Sequence, residues 1–192
     1  TTFLELTSAY RDEDDATAWR LIADSLQDFE TLIANDRYLD RFDAYGRDLF
    51  RPAGERSGWD PKPGEGHLEA LKRTTVLSRL GHYADHDVLD EAAKRFARYL
   101  RDPASLHPDL RGVVYALVAQ EGDAATYETL WGLEQKAALQ EEKVRLLVAL
   151  TRPRDKRLLE ETLRRALTDA VRSQDAVLVI ANVATSRPGL GR

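Results

Sequence analysis

The stretch AWRLIADSLQDFETLI, residues 18–33, decides the fold class. Its apolar residues Trp19, Ile22, Ala23, Leu26, Phe29 and Ile33 recur at spacings of three and four. That period puts them on one face of a helix, with polar residues on the other. After a break at Asn35–Asp36 the pattern resumes with Leu39, Phe42, Gly46, Leu49 and Phe50. Leu89, Ala92, Ala93, Phe96 and Leu100 make a further stripe, and Leu110, Val113, Val114, Leu117 and Val118 another. The latter opens at Pro108–Asp109, with Asp109 the predicted N-cap, and closes near Gly122. Helical periods then start at Tyr127, Leu130 and Trp131, at Val144, Leu147 and Leu150, and at Leu159, Leu163, Ala166 and Leu167. A last one, starting at Ser173 or Gln174, presents Val177, Ile180, Ala181 and Ala184. No alternating apolar–polar run bounded by hairpin signals predicts a strand.

The predicted fold is therefore all-α. From about residue 84 onward helices arrive in pairs every ~35–40 residues, the range of HEAT and armadillo units. The expected architecture is an irregular α-solenoid, a HEAT/armadillo-like superhelix of about nine or ten helices, with residues 1–192 forming a single helical domain. One segment departs from the pattern. PAGERSGWDPKPGEG, residues 52–66, holds three of the seven prolines and four of the eleven glycines, a density that predicts a loop. Trp59 within it predicts a loop packed down on the domain.

With 43% hydrophobic and 32% charged residues the chain can bury a core. A net charge of −5 argues against a nucleic-acid binder. The absence of cysteine excludes a disulfide framework and a thiolate site, and fits a reducing compartment; a cytoplasmic location is the expectation. No apolar run has the length of a membrane span, so no membrane partner is expected.

Catalytic motifs are absent. There is no H-E-x-x-H zinc helix, no phosphate loop and no G-x-S-x-G elbow. His82 and His86 stand four apart, as two ligands on one helical face would, but Gly81, Asp85 and Asp87 around them read as turn and cap residues. Glu141 and Glu142 read as an exposed helix start, where carboxylates favour the positive end of the helix dipole. The basic run around Arg152–Arg157 is interleaved with acids, and the pairs Glu160–Arg164 and Glu161–Arg165 predict a salt-laced surface.

At residues 50–81, FRPAGERSGWDPKPGEGHLEALKRTTVLSRLG, the letters become specific. This run resembles the puromycin-sensitive aminopeptidase branch of the gluzincin zinc aminopeptidases. DEAAKRFARYL (90–100), PDLRGVVYALVAQEGD (108–123), QEEKVRLLVAL (140–150) and VRSQDAVLVIANVA (171–184) continue the resemblance in order. The resemblance implies a superhelical C-terminal domain that caps an active site and shapes the peptide cavity. It implies that the catalytic domain, with its zinc, is absent from this chain, which would itself hold no cofactor and no catalytic or metal residue. The implied partners are that catalytic domain and a peptide substrate. The chain does not start with methionine and stops at SRPGLGR, residues 186–192, where the resemblance leads one to expect further helices. Arg111, Tyr115, Arg145 and Arg172 are the candidate peptide contacts, because arginine pairs well with a carboxylate and all lie in family-like blocks. A free-standing helical scaffold for a protein partner is the alternative.

Overall fold

The structure is a computed structural model, and it describes residues 2–34 and 36–190. Asn35, half of the expected break, and the terminal residues 191–192 lie outside the described residues. Eleven α-helices and no strand occur among the described residues, so the all-α expectation is met. The chain divides into two compact units, one ending at Glu91 and the other beginning at Ala92.

The first unit holds α1 (Phe3–Ser8), α2 (Ala16–Ile33), α3 (Leu39–Ser57), α4 (His67–His82) and the start of α5 (His86–Tyr99). α2 starts where Asp15 Oδ1 accepts from Thr17 N at 2.7 Å and Ala18 N at 2.9 Å, satisfying two amides that have no partner inside the helix. Its stripe Trp19, Ile22, Ala23 and Leu26 is buried, and α4 packs against both α2 and α3. Trp19 and Phe50 pack with their rings tilted by 46° and centroids 5.1 Å apart, and Phe42 meets the Tyr83 ring edge-on at 6.0 Å.

The expected loop at residues 52–66 is corrected. α3 runs through Pro52 to Ser57, and the connection is residues 58–66. Proline inside a helix removes one backbone donor and crowds the preceding turn, a cost of ~3 kcal/mol. Burial offsets it here: Ala53 and Gly54, the next residues, are buried under α4. Gly54 is not a breaker but a close-approach residue, since a Cβ there would stand 2.6 Å from Leu80 Cδ1. The helix ends only at Gly58, whose φ of +63° suits glycine and whose N–H donates to Gly54 O at 2.8 Å. The connection is tied down by the buried Arg73. Its guanidinium donates to the carbonyls of Ser57 and Gly58 at 3.2–3.4 Å and to Glu65 Oε2 at 2.5 Å. Trp59 is half-buried, beside Gly54, Leu77, Leu80 and Val88.

The second unit holds the rest of α5, a 3₁₀ turn (Pro103–Ser105), α6 (Pro108–Glu121), α7 (Ala124–Lys136), α8 (Gln140–Ala149), α9 (Lys156–Ala166), α10 (Ser173–Ala184) and α11 (Arg187–Leu190). Helices here pack on the next and next-but-one: α6 on α7 and α8, α8 on α7 and α10, α10 on α9. That neighbour pattern is solenoid-like, because each element buries its apolar stripe on elements close in sequence. Asp109 is not the cap of α6. Pro108 already has the helical φ, so the cap moves back to His107, whose Nδ1 accepts from Asp109 N at 3.3 Å. The buried face of α10 is also corrected. Ala176, Val179 and Val183 join Leu147, Leu159, Ala166 and Val171 in the core, while Val177 is 68% exposed and Ile180 43%. In AVLVIANVA apolar residues occupy every side of the helix, so periodicity has no basis for selecting one.

Candidate functional site

α6 and α8 lie side by side, and the first turn of α8 supplies the centre of the site. Glu141 is 73% exposed at its side chain, but Glu142, one residue on, is only 13% exposed and turns toward α6. Tyr115, fully buried on α6, donates its hydroxyl to Glu142 Oε1 at 2.6 Å. One turn earlier on α6, Arg111 brings Nη1 to 3.6 Å from the same oxygen. Arg145, one turn further along α8, donates from Nη1 to Glu142 Oε2 at 3.1 Å and pairs with Glu141 through Nη2. Three of the four candidates thus converge on one carboxylate, at a position where the sequence pattern predicts an exposed helix start. The signal present in the sequence was the i,i+3 spacing of Glu142 and Arg145.

The surroundings fix these groups. The Arg111 guanidinium lies 5.5 Å over the Tyr99 ring, its Nη2 donates to Pro103 O at 3.4 Å, and its buried Nε has no hydrogen-bond partner. Tyr99 and Tyr115 meet edge-on at 5.5 Å. Burial, followed by the Glu142 hydrogen bond, pushes the Tyr115 phenol well above its ordinary value. Tyr115 therefore stays protonated and remains a donor to any carboxylate placed against it. Two guanidiniums and a fixed phenol thus converge as donors on the one carboxylate of Glu142.

Arg172 lies apart from this cluster. It stands at the position before α10, makes no side-chain cap there, and donates Nε to Asp175 Oδ2 at 2.8 Å and Nη2 to Oδ1 at 3.3 Å. Gln140, at the start of α8, donates to the same Asp175 Oδ2 at 3.0 Å, so Asp175 ties the start of α10 to the start of α8. Beside them the buried Glu134 is held by Gln135 Nε2 at 2.5 Å, with Lys143 Nζ 3.8 Å away. Burial raises its pKa, against the opposing influence of Lys143 and Gln135.

The other sequence candidates resolve differently. His82 is the last residue of α4 and places Nε2 2.8 Å from Oε2 of the buried Glu30, so it is not a solvated turn residue. His86 opens α5 and is not in the loop. Among the described residues no three His, Cys, Asp or Glu are grouped to hold a metal, so the residues present do not fit a zinc site. Glu161 pairs with both Arg164 and Arg165. Arg165 also pairs with Glu128 and lies 5.0 Å over Trp131, which makes this a packed ionic surface. No helix among the described residues is long and apolar enough to cross a membrane.

The family model of the ERAP1-like C-terminal domain matches residues 1–190. Aminopeptidase M1-A of Oryza sativa subsp. japonica is 34% identical over 187 residues, 94% of this chain and 21% of that protein. Aminopeptidase M1 of Arabidopsis thaliana shows the same identity and coverage. Glutamyl aminopeptidase of Mus musculus is 27% identical over 190 residues, 97% of this chain and 20% of that protein. The chain spans about a fifth of the length of the curated relatives it matches.

Proposed function

The chain belongs to the ERAP1-like C-terminal domain family, and on that premise we propose that it is the non-catalytic helical domain of a zinc aminopeptidase, capping the active site and shaping the cavity that receives the peptide. The observation that carries this reading is the match along residues 1–190 to a C-terminal domain, joined to relatives that are aminopeptidases about five times longer than the chain. In this reading residues 1–192 are part of a larger helical C-terminal domain. The zinc belongs to the catalytic domain, which is the partner of this one. The sequence itself has no H-E-x-x-H.

The Arg111–Tyr115–Arg145 cluster gives the domain a role in binding. Its donors suit an acidic group of the peptide, such as the terminal carboxylate, while Arg172, paired with Asp175, offers a third cation from the start of α10. Contacts far from the scissile bond contribute to rate by holding the substrate at the reacting centre. Such contacts exist only for peptides long enough to reach them. Arg111→Ala in the parent enzyme is therefore expected to lower kcat/KM for long peptides, by ~10-fold for one lost charge-assisted contact, while leaving amino-acid amides unchanged. Equal effects on long and short substrates, or none on either, would refute the contact.

A further inference from the structure

Glu142 occupies the place where an external carboxylate would be received. Both its oxygens are held by donors suited to a ligand: Tyr115 at 2.6 Å on Oε1, Arg145 at 3.1 Å on Oε2, and Arg111 at 3.6 Å. The arrangement is incomplete on the Arg111 side. Its ion pair is the longest of the three contacts, and its Nε has no hydrogen-bond partner. These three donors are the contacts of the Glu142 carboxylate among the described residues. Glu142 sits in the first turn of α8, part-exposed, and a change of side-chain rotamer would carry its carboxylate toward solvent, as Glu141 beside it already points. At that helix end an outward carboxylate still faces the positive end of the dipole, which reduces the cost of leaving.

We propose that Glu142 is a built-in surrogate ligand: its carboxylate holds the Arg111–Tyr115–Arg145 receptor closed and is displaced by the free carboxylate of a peptide. This rests on the peptide-contact reading above and adds how the site is regulated. The receptor parts stay in place during exchange, since Tyr115 is fully buried and Arg111 is stacked on Tyr99. The exchange trades one carboxylate for another, so the local charge balance is kept and no guanidinium is left bare. It also makes the site selective. A peptide amide, with no charge to replace that of Glu142, competes poorly, and weakly attached acids are excluded by the high effective concentration of the tethered carboxylate.

The test uses the 192-residue chain and two probes, N-acetyl-trialanine and its C-terminal amide, titrated by NMR. Glu142→Gln keeps the shape and the acceptor for Tyr115 but removes the competing charge. It is expected to tighten the free acid by ~10-fold, equivalent to ~1.4 kcal/mol, with the amide unchanged. Glu142→Asp, with a charge set back by one methylene, is expected to fall between wild type and Glu142→Gln, and guards against a folding defect in either variant. If Glu142→Gln leaves the acid-to-amide ratio at its wild-type value while Arg111→Ala lowers it, the surrogate is refuted and the peptide contact stands. If neither wild type nor Glu142→Gln prefers the acid, both are refuted.

Discussion

Gly46 in the middle of α3 tests how the first unit is assembled. A Cβ built there would stand 2.5 Å from Cδ2 and Cε2 of Tyr83 and 2.8 Å from Cγ. Those atoms belong to a rigid ring, not to the end of a flexible side chain. The ring is fully buried and bounded by Phe42, Phe50 and His82 at centroid distances of 6.0, 6.1 and 5.2 Å. Ordinary contact would require it to retreat by about an ångström into packed neighbours, and overpacking of that kind costs ~1–3 kcal/mol. Against this, alanine in a helix interior is favoured over glycine by ~1 kcal/mol. With three ring atoms in conflict the upper part of the range applies, so Gly46→Ala is expected to lose ~2 kcal/mol net. In urea, where the slope is ~2 kcal/mol per molar, the unfolding midpoint drops by ~1 M. Gly132 in α7 is the control, because a Cβ there meets nothing within 4 Å. Gly132→Ala is expected to gain ~0.5–1 kcal/mol. A Gly46→Ala protein as stable as wild type, or two alanine variants that shift the midpoint in the same direction, would refute the close-approach argument.

Three other outcomes follow from named contacts. Tyr115→Phe removes the donor to Glu142 and is expected to cost ~1.5–3 kcal/mol, the worth of a hydrogen bond to a charged group, measured by urea unfolding. Arg73→Met frees the connection after α3, so amide hydrogen exchange of residues 58–66 is expected to accelerate by at least ~10-fold while α7 amides keep their protection. Glu134 has a pKa raised by burial, so the folded state holds its proton more tightly than the unfolded chain. Its contribution is fully present below the ordinary carboxylate value and is lost as pH rises through the raised one. Glu134→Gln is thus expected to melt above wild type at pH 8, with the gap closing as pH falls below the ordinary carboxylate range.

The helices were legible because their signal is local. Trp19, Ile22, Ala23 and Leu26 are three and four residues apart whatever they pack against, and all are buried as the period implies. The family was also legible, from ordered blocks extending to residue 184. The site was half legible: Arg111, Tyr115 and Arg145 were singled out as separate contacts, but Glu142, which joins them, was not, since its partners on α6 are 27 and 31 positions away in sequence.

The all-α class, most helix positions and the resemblance to a C-terminal aminopeptidase-type family are written in local pattern and letters. Tertiary structure alone decided three things. It carried α3 through Pro52, because burial of Ala53 and Gly54 under α4 outweighs a local propensity. It chose the buried face of α10, where an all-round apolar sequence is degenerate. It gathered two arginines and a tyrosine around Glu142. In each case the deciding energy comes from groups brought together by packing, which no period along the chain records.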